Sequence, residues 1–140
     1  MPLHLEVITP ERKVYEEDVD MVVAPASEGY VGILPHHEPL FTTLGPGVFK
    51  VKRGGVEEIL AVFGGFMDVR ADRVVVLTDA AEHAEEIDAE RAQEARDHAR
   101  QALAAGPASA ADEQRARAEL QRALVRLRVS ETRRRRRGAT

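Results

Sequence analysis

The hydrophobic pattern of this 140-residue chain changes period near residue 87, and that change limits what the chain can fold into. Before it, apolar residues recur at every second position. Leu3, Leu5 and Val7 alternate with His4 and Glu6, and Phe49 and Val51 alternate with Lys50 and Lys52. Successive side chains of a strand point to opposite faces, so this alternation describes strands with one dry and one wet side. Asp18-Val19-Asp20-Met21 begins a similar run that turns apolar through Val22-Val23-Ala24; Val56 to Phe63, Phe66 to Arg70 and Val74 to Leu77 are others. Turn signals separate them about every 8–12 residues. Gly54-Gly55 suits a two-residue hairpin, because glycine accepts positive φ without steric cost; Gly64-Gly65 breaks the next run, and Ala71-Asp72 turns after it. No helical period appears in this part, so residues 1–86 are predicted to form an antiparallel β-sandwich or flattened barrel.

From Ile87 onward the residues are helix formers. Asp88 is placed as an N-cap, with Glu90 in the first turn where the helix dipole favours negative charge. Residues 88–105 are rich in Ala, Arg, Glu and Gln, and Gly106-Pro107 ends the segment. Ser109-Ala110-Ala111-Asp112 has the form of a capping box for a second helix, on which Ala116, Leu120, Ala123, Leu124 and Leu127 make one stripe. The short link predicts an antiparallel helical hairpin over 87–132. Its large aliphatic residues are few: Ile87, Leu103, Leu120, Leu124, Val125, Leu127 and Val129. A pair with so little core of its own is expected to be weakly anchored, and such elements can move between two packings. The final segment, 133–140, opens with five consecutive arginines and is expected to be a disordered tail.

Charge follows the same division. Residues 1–86 carry 7 Lys+Arg against 16 Asp+Glu, and residues 87–140 carry 13 against 8, for a net charge of −4. An acidic first body and a basic second one imply different partners, the basic one suited to an acidic surface, a nucleotide or a nucleic acid. With no cysteine, disulfides and thiolate metal sites are excluded. No apolar run approaches the ~20 residues needed to span a bilayer, and Met-Pro-Leu-His-Leu-Glu does not read as a signal peptide. Membrane association is therefore expected only through a partner.

The segment from Ser27 to Leu40, SEGYVGILPHHEPL, resembles the signature of F-type ATP synthase epsilon subunits: Ser-Glu-Gly, two variable residues, Gly-Ile/Leu-Leu/Tyr-Pro, then a spaced His and Pro-Leu. Leu44-Gly45-Pro46-Gly47, Gly64 to Val69, Val74 to Ala81 and Arg122 to Val129 resemble further stretches of that family, in order along nearly the whole chain. The resemblance implies a ten-stranded sandwich followed by the helix pair. It implies a non-catalytic rotor subunit at the foot of the central stalk, on the cytoplasmic face of a bacterial membrane. The sandwich would hold the gamma subunit and rest on the c-subunit ring. The hairpin would extend toward the alpha and beta catalytic subunits and inhibit ATP hydrolysis.

The resemblance also implies sites. No cofactor is required, but some members bind a regulatory ATP through Ile/Leu-Asp-x-x-Arg-Ala, matched here by Ile87, Asp88, Arg91 and Ala92, with Arg122 and Arg126 on the second helix approaching the phosphates. This chain has His98 where those members carry another arginine. Glu28, Gly29, Tyr30 and His37 match the loop that meets the ring and gamma; Tyr30 replaces a glutamate found in some members, so a polar contact there falls to Glu28 or His37.

Other readings are weaker. His36-His37-Glu38 lacks a third ligand and adjacent residues rarely converge on one ion, so turn geometry is expected rather than a metal site. The glycines lack the Gly-Lys-Ser/Thr context of a phosphate loop. The basic tail admits a nucleic-acid adaptor as the alternative function, although residues 87–140 contain no aromatic residue on which a base would stack. A metal-dependent sandwich enzyme would need His36 and His37 as ligands, and no nucleophile–base arrangement is evident.

Overall fold

The computed structural model describes residues 2–138. The chain divides into two compact units, Met1–Ala84 and Glu85–Thr140.

The first unit has eight strands: β1 (Leu3–Ile8), β2 (Lys13–Val19), β3 (Met21–Ala26), β4 (Gly29–Ile33), β5 (Leu40–Arg53), β6 (Val56–Arg70), β7 (Arg73–Leu77) and β8 (Ala81–His83). They form one hydrogen-bonded sheet in the order β2-β1-β7-β6-β5-β3-β4, with β8 on β6. All pairings are antiparallel except β1 with β7. The sheet folds over itself, and Leu3, Leu5, Val7, Val22, Ile33, Phe49, Val51, Leu60, Met67 and Val74 meet in one buried core.

Ten strands were expected, and the structure has eight. The difference lies in β5 and β6, which are 14 and 15 residues long and run unbroken through both layers. The first part of β5 and the last part of β6 lie with β7, β1 and β2, while the remainder lies with β3, β4 and β8. Gly64-Gly65 therefore does not interrupt the run. Gly64 (φ +87°) and Gly65 (φ +119°) bend the strand, and pairing with β5 continues on both sides in one register. The run expected from Asp18 is also divided. β2 ends at Val19 and β3 starts at Met21, with Asp20 between them accepting a hydrogen bond from the Gly54 amide at 2.9 Å. Gly54 and Gly55 both take positive φ, as a tight hairpin requires.

The second unit is α1 (Ala89–Ala104) and α2 (Ala110–Gly138), which pack on each other. Asp88 caps α1, its carboxylate accepting from the Arg91 amide at 3.1 Å, and Ser109 Oγ accepts from the Asp112 amide at 3.1 Å. Gly106 closes α1 at φ +80°. Ala92, Ala99, Ala116 and Ala123 are buried, so the helices present small side chains there. Leu124, expected on the buried stripe, is exposed, and Val125 and Val129 are buried instead.

The expected disordered tail at 133–140 is corrected: α2 continues through Gly138, and Ala139 and Thr140 lie outside the described residues. Arginine is a good helix former and cations are favoured at a helix C-terminus. Glu131 adds an i,i+4 pair with Arg135 at 2.6 Å.

Candidate functional site

An apolar strip on the outside of the sandwich is its clearest unsatisfied surface. β6 turns Met67 and Val69 inward, so Phe66 and Asp68 face outward. Phe66 pairs in register with Leu77 on β7 and Thr43 on β5, and Leu77 lies beside Ile8 on β1. Phe41 stacks on Phe66 with ring centroids 5.6 Å apart and planes 21° apart. Phe41 is 66% exposed, and Phe66 and Leu77 are about half exposed. Two stacked phenyl rings beside a leucine in water form a contiguous patch of the kind that marks a protein contact. Pro39, Leu40, Asp68, Val69 and Arg70 line a shallow hollow beside Phe41. The sequence reading did not identify this surface. The available signal was a phenylalanine at the outward, polar phase of an alternating strand.

The predicted contact residues fall into two places. Glu28, Gly29 and Tyr30 lie at the β3–β4 turn, next to the apolar strip: the Ser27 amide donates to the Thr43 carbonyl at 3.1 Å, and Thr43 is the register partner of Phe66. Tyr30 is exposed, and its hydroxyl accepts from the Val48 amide at 3.4 Å. Gly47 makes room for that packing, since a Cβ there would meet Pro25 Cβ at 2.9 Å and the Tyr30 hydroxyl at 3.2 Å. His37 lies beyond the other end of β4, so it does not join the turn in one site. Its Nδ1 is 2.6 Å from the Glu38 carbonyl oxygen. His36 takes φ +69° and its amide donates to Asp72 at 3.2 Å. The turn after β4 that carries both histidines is closed by the His37 amide donating to the Leu34 carbonyl at 3.2 Å.

On the hairpin, the six residues matched to a nucleotide site lie at the start of α1 and on α2. Asp88 is engaged in the cap, Ala92 is buried, and Arg91 and Arg122 are exposed. His98, in place of the family's arginine, lies across the helices with Nδ1 3.3 Å from Glu119 Oε1. Ile87 lines a cavity at the open end of the hairpin.

Residues 2–84 match the family model "ATP synthase, Delta/Epsilon chain, beta-sandwich domain", and residues 85–131 match "ATP synthase, Delta/Epsilon chain, long alpha-helix domain". The chain belongs to the ATP synthase delta/epsilon family. It is 51% identical over 136 residues to the ATP synthase epsilon chain of Herpetosiphon aurantiacus, covering 97% of this chain and 99% of that one. It is 52% identical to the epsilon chain of Dehalococcoides mccartyi strain CBDB1, covering 94% of each. Among solved structures, a chain of the Euglena gracilis mitochondrial ATP synthase OSCP/F1/c-ring complex superposes with a TM-score of 0.76 at 26% identity, covering 86% of this chain and 76% of that one. A chain of the Tetrahymena thermophila mitochondrial ATP synthase central stalk and c-ring shares the fold, with a TM-score of 0.63 at 14% identity and coverage of 93% and 97%.

This member of the delta/epsilon family also carries a charged network on the outer face of β1, β2 and β7. His4 Nδ1 is 2.9 Å from Asp18 and its Nε2 is 2.9 Å from Glu16. Lys13 lies 3.2 Å from Glu6 and 3.0 Å from Glu16, and Arg73 donates to Glu6 at 2.6 Å. Hydrogen bonds to Asp18 and then Glu16 raise the pKa of His4, and bonds from Lys13 and then Arg73 lower that of Glu6. His4, Glu6 and Glu16 are close enough together to bind a cation, and the Lys13 ammonium already sits against both carboxylates. The clue in the sequence was local: His4 and Glu6 share one face of β1 at i and i+2.

Proposed function

We propose that this chain is a central-stalk subunit of an ATP synthase, with the sandwich as its grip and the hairpin as its regulatory arm. In this reading the sandwich holds the gamma subunit and rests on the c-subunit ring, so that ring rotation is passed to gamma. The hairpin reaches toward the alpha and beta subunits of the catalytic head and restrains ATP hydrolysis. The subunit is mechanical and regulatory rather than catalytic, and it meets the cytoplasmic face of a bacterial membrane only through its partners. No helix among the described residues is long and apolar enough to cross a membrane.

The observation that carries this reading is the exposed strip of Phe41, Phe66 and Leu77 beside the β3–β4 turn. A sandwich whose core is already complete keeps such a surface for a partner. The complexes that contain the similar solved chains are an F1/c-ring assembly and a central stalk with its ring. Gamma is the partner assigned to the strip, and the ring is assigned to the turn carrying Glu28, Gly29 and Tyr30.

The test replaces Phe41 and Phe66 together with serine. Both side chains are outward, so the isolated variant should melt close to the parent. Retention of the chain by immobilised gamma should fall by about tenfold or more, as expected when aromatic anchors leave an interface. Unchanged retention would remove the strip from the gamma contact.

A further inference from the structure

The outer face of β6 and β7 carries three residue pairs in register: Phe66 with Leu77, Asp68 with Val75, and Arg70 with Arg73. The first pair belongs to the apolar strip. The last sets two guanidinium groups opposite each other, an arrangement that costs a sheet stability. Both side chains are open to solvent, Arg70 at 80% and Arg73 at 63% exposure. Each has one acidic neighbour on the same face. Arg70 gives its Nε to Asp68 at 3.2 Å, and Arg73 gives a terminal amine to Glu6 at 2.6 Å. Asp72, in the turn between the strands, accepts instead from the His36 amide at 3.2 Å. Because Arg70 meets Asp68 through Nε, its two terminal amines are left to donate to a further acceptor. Arg70 also lines the shallow hollow beside Phe41, so the arginine pair, the hollow and the strip form one continuous surface. Along β6, Arg70 lies four residues beyond Phe66, about 13 Å at the rise of a strand.

We propose that the arginine pair is the charged end of the gamma contact and that Arg70 holds a carboxylate of the gamma segment covering the strip. The inference rests on the gamma reading above and adds the partner's chemistry: apolar side chains over Phe41, Phe66 and Leu77, and an aspartate or glutamate about 13 Å further along the same face. A guanidinium offers a carboxylate paired, coplanar donors. Asp68 and Glu6 already balance the two arginines in charge, so a polyanion finds little net attraction here. A single carboxylate needs only the terminal amines that remain. Charged groups at the rim of an apolar contact fix register and suppress wrong partners more than they add affinity. Arg70 is in this sense the specificity-determining residue of the face. Arg73, tied to the buried Glu6, keeps the positive end in place.

The test measures binding of the intact chain to immobilised gamma at low and at high salt. Arg70→Gln should weaken binding about fivefold at low salt, and Arg70→Glu should weaken it further. Arg70→Lys keeps the charge and loses the planar fork, so it should fall between Arg70→Gln and the parent. Added salt should weaken the parent more than Arg70→Gln, because the variant has lost the screened contact. Arg70 is exposed, so all three variants should melt close to the parent. The Phe41→Ser, Phe66→Ser double variant is run beside them. If it loses gamma while Arg70→Gln keeps the parent's affinity and salt dependence, the arginine role is overturned and the strip stands. If Arg70→Gln weakens binding and the double variant does not, the arginine contact stands and the strip is removed. No loss in either overturns both.

Discussion

Gly65 shows how much one position can decide. A Cβ there would overlap the Leu77 carbonyl oxygen and come within 2.8 Å of Thr78 Cα, and the backbone sits at φ +119°. Both neighbours are backbone atoms, so they cannot rotate away as a flexible side chain would. Gly65→Ala should cost about 3 kcal/mol or more, from strain and overpacking together. Gly54→Ala, at φ +58° with nothing within 4 Å, should cost about 1 kcal/mol. Urea denaturation midpoints would compare them, and equal losses would contradict the close-approach role of Gly65. This distinction was not legible beforehand. A glycine that ends a strand and one that lets two backbones touch leave the same letter in the chain, so Gly64-Gly65 reads as a break. Asp88, Ser109 and Gly106 were legible because a cap is satisfied within its own three or four residues.

At the scale of elements, β2 is an edge strand held to β1 partly through the His4 network. The fold raises the pKa of His4 above 6.5, so its stabilisation is complete below about pH 6.5 and is lost as pH rises through the raised value. Glu6 and Glu16 are lowered from 4.5, so their contributions are complete above about pH 4.5 and are lost as pH falls through the lowered values. The network is therefore strongest in mildly acidic solution. Between about pH 6 and about pH 9 the thermal midpoint of the parent should fall, and His4→Gln should flatten that slope. A parallel decline in the variant would place the cause elsewhere. The strand itself escaped the sequence reading because Glu16-Glu17-Asp18 is a continuous polar run, and an exposed edge needs no alternation to fold. The arginine tail was misread for a related reason: a block of like charge suggests repulsion, while the i,i+4 partner and the terminal dipole that offset it lie in the preceding turn.

For the whole molecule, a sandwich and a hairpin with different compositions give a prediction about their separability. Ending the chain after Glu86 should leave the sandwich folded and assembled with gamma, and should raise ATP hydrolysis by the detached catalytic head severalfold. Unchanged hydrolysis would remove the inhibitory role from the hairpin. The two classes of element were visible in the change from period two to helical composition. The exposed Phe41–Phe66 face was not, because outward Phe66 and inward Met67 are both apolar and only the register tells them apart.

The continuity of β5 and β6 has a mechanical consequence. In a sandwich closed only by packed side chains, two layers can creep past each other at the cost of soft contacts. Here the same two polypeptide segments form part of both layers and remain hydrogen-bonded to each other around the bend. A sideways load on the Phe41–Phe66 face therefore travels along covalent backbone into the opposite layer, with little elastic slack, a useful property in a part that must turn with its neighbours.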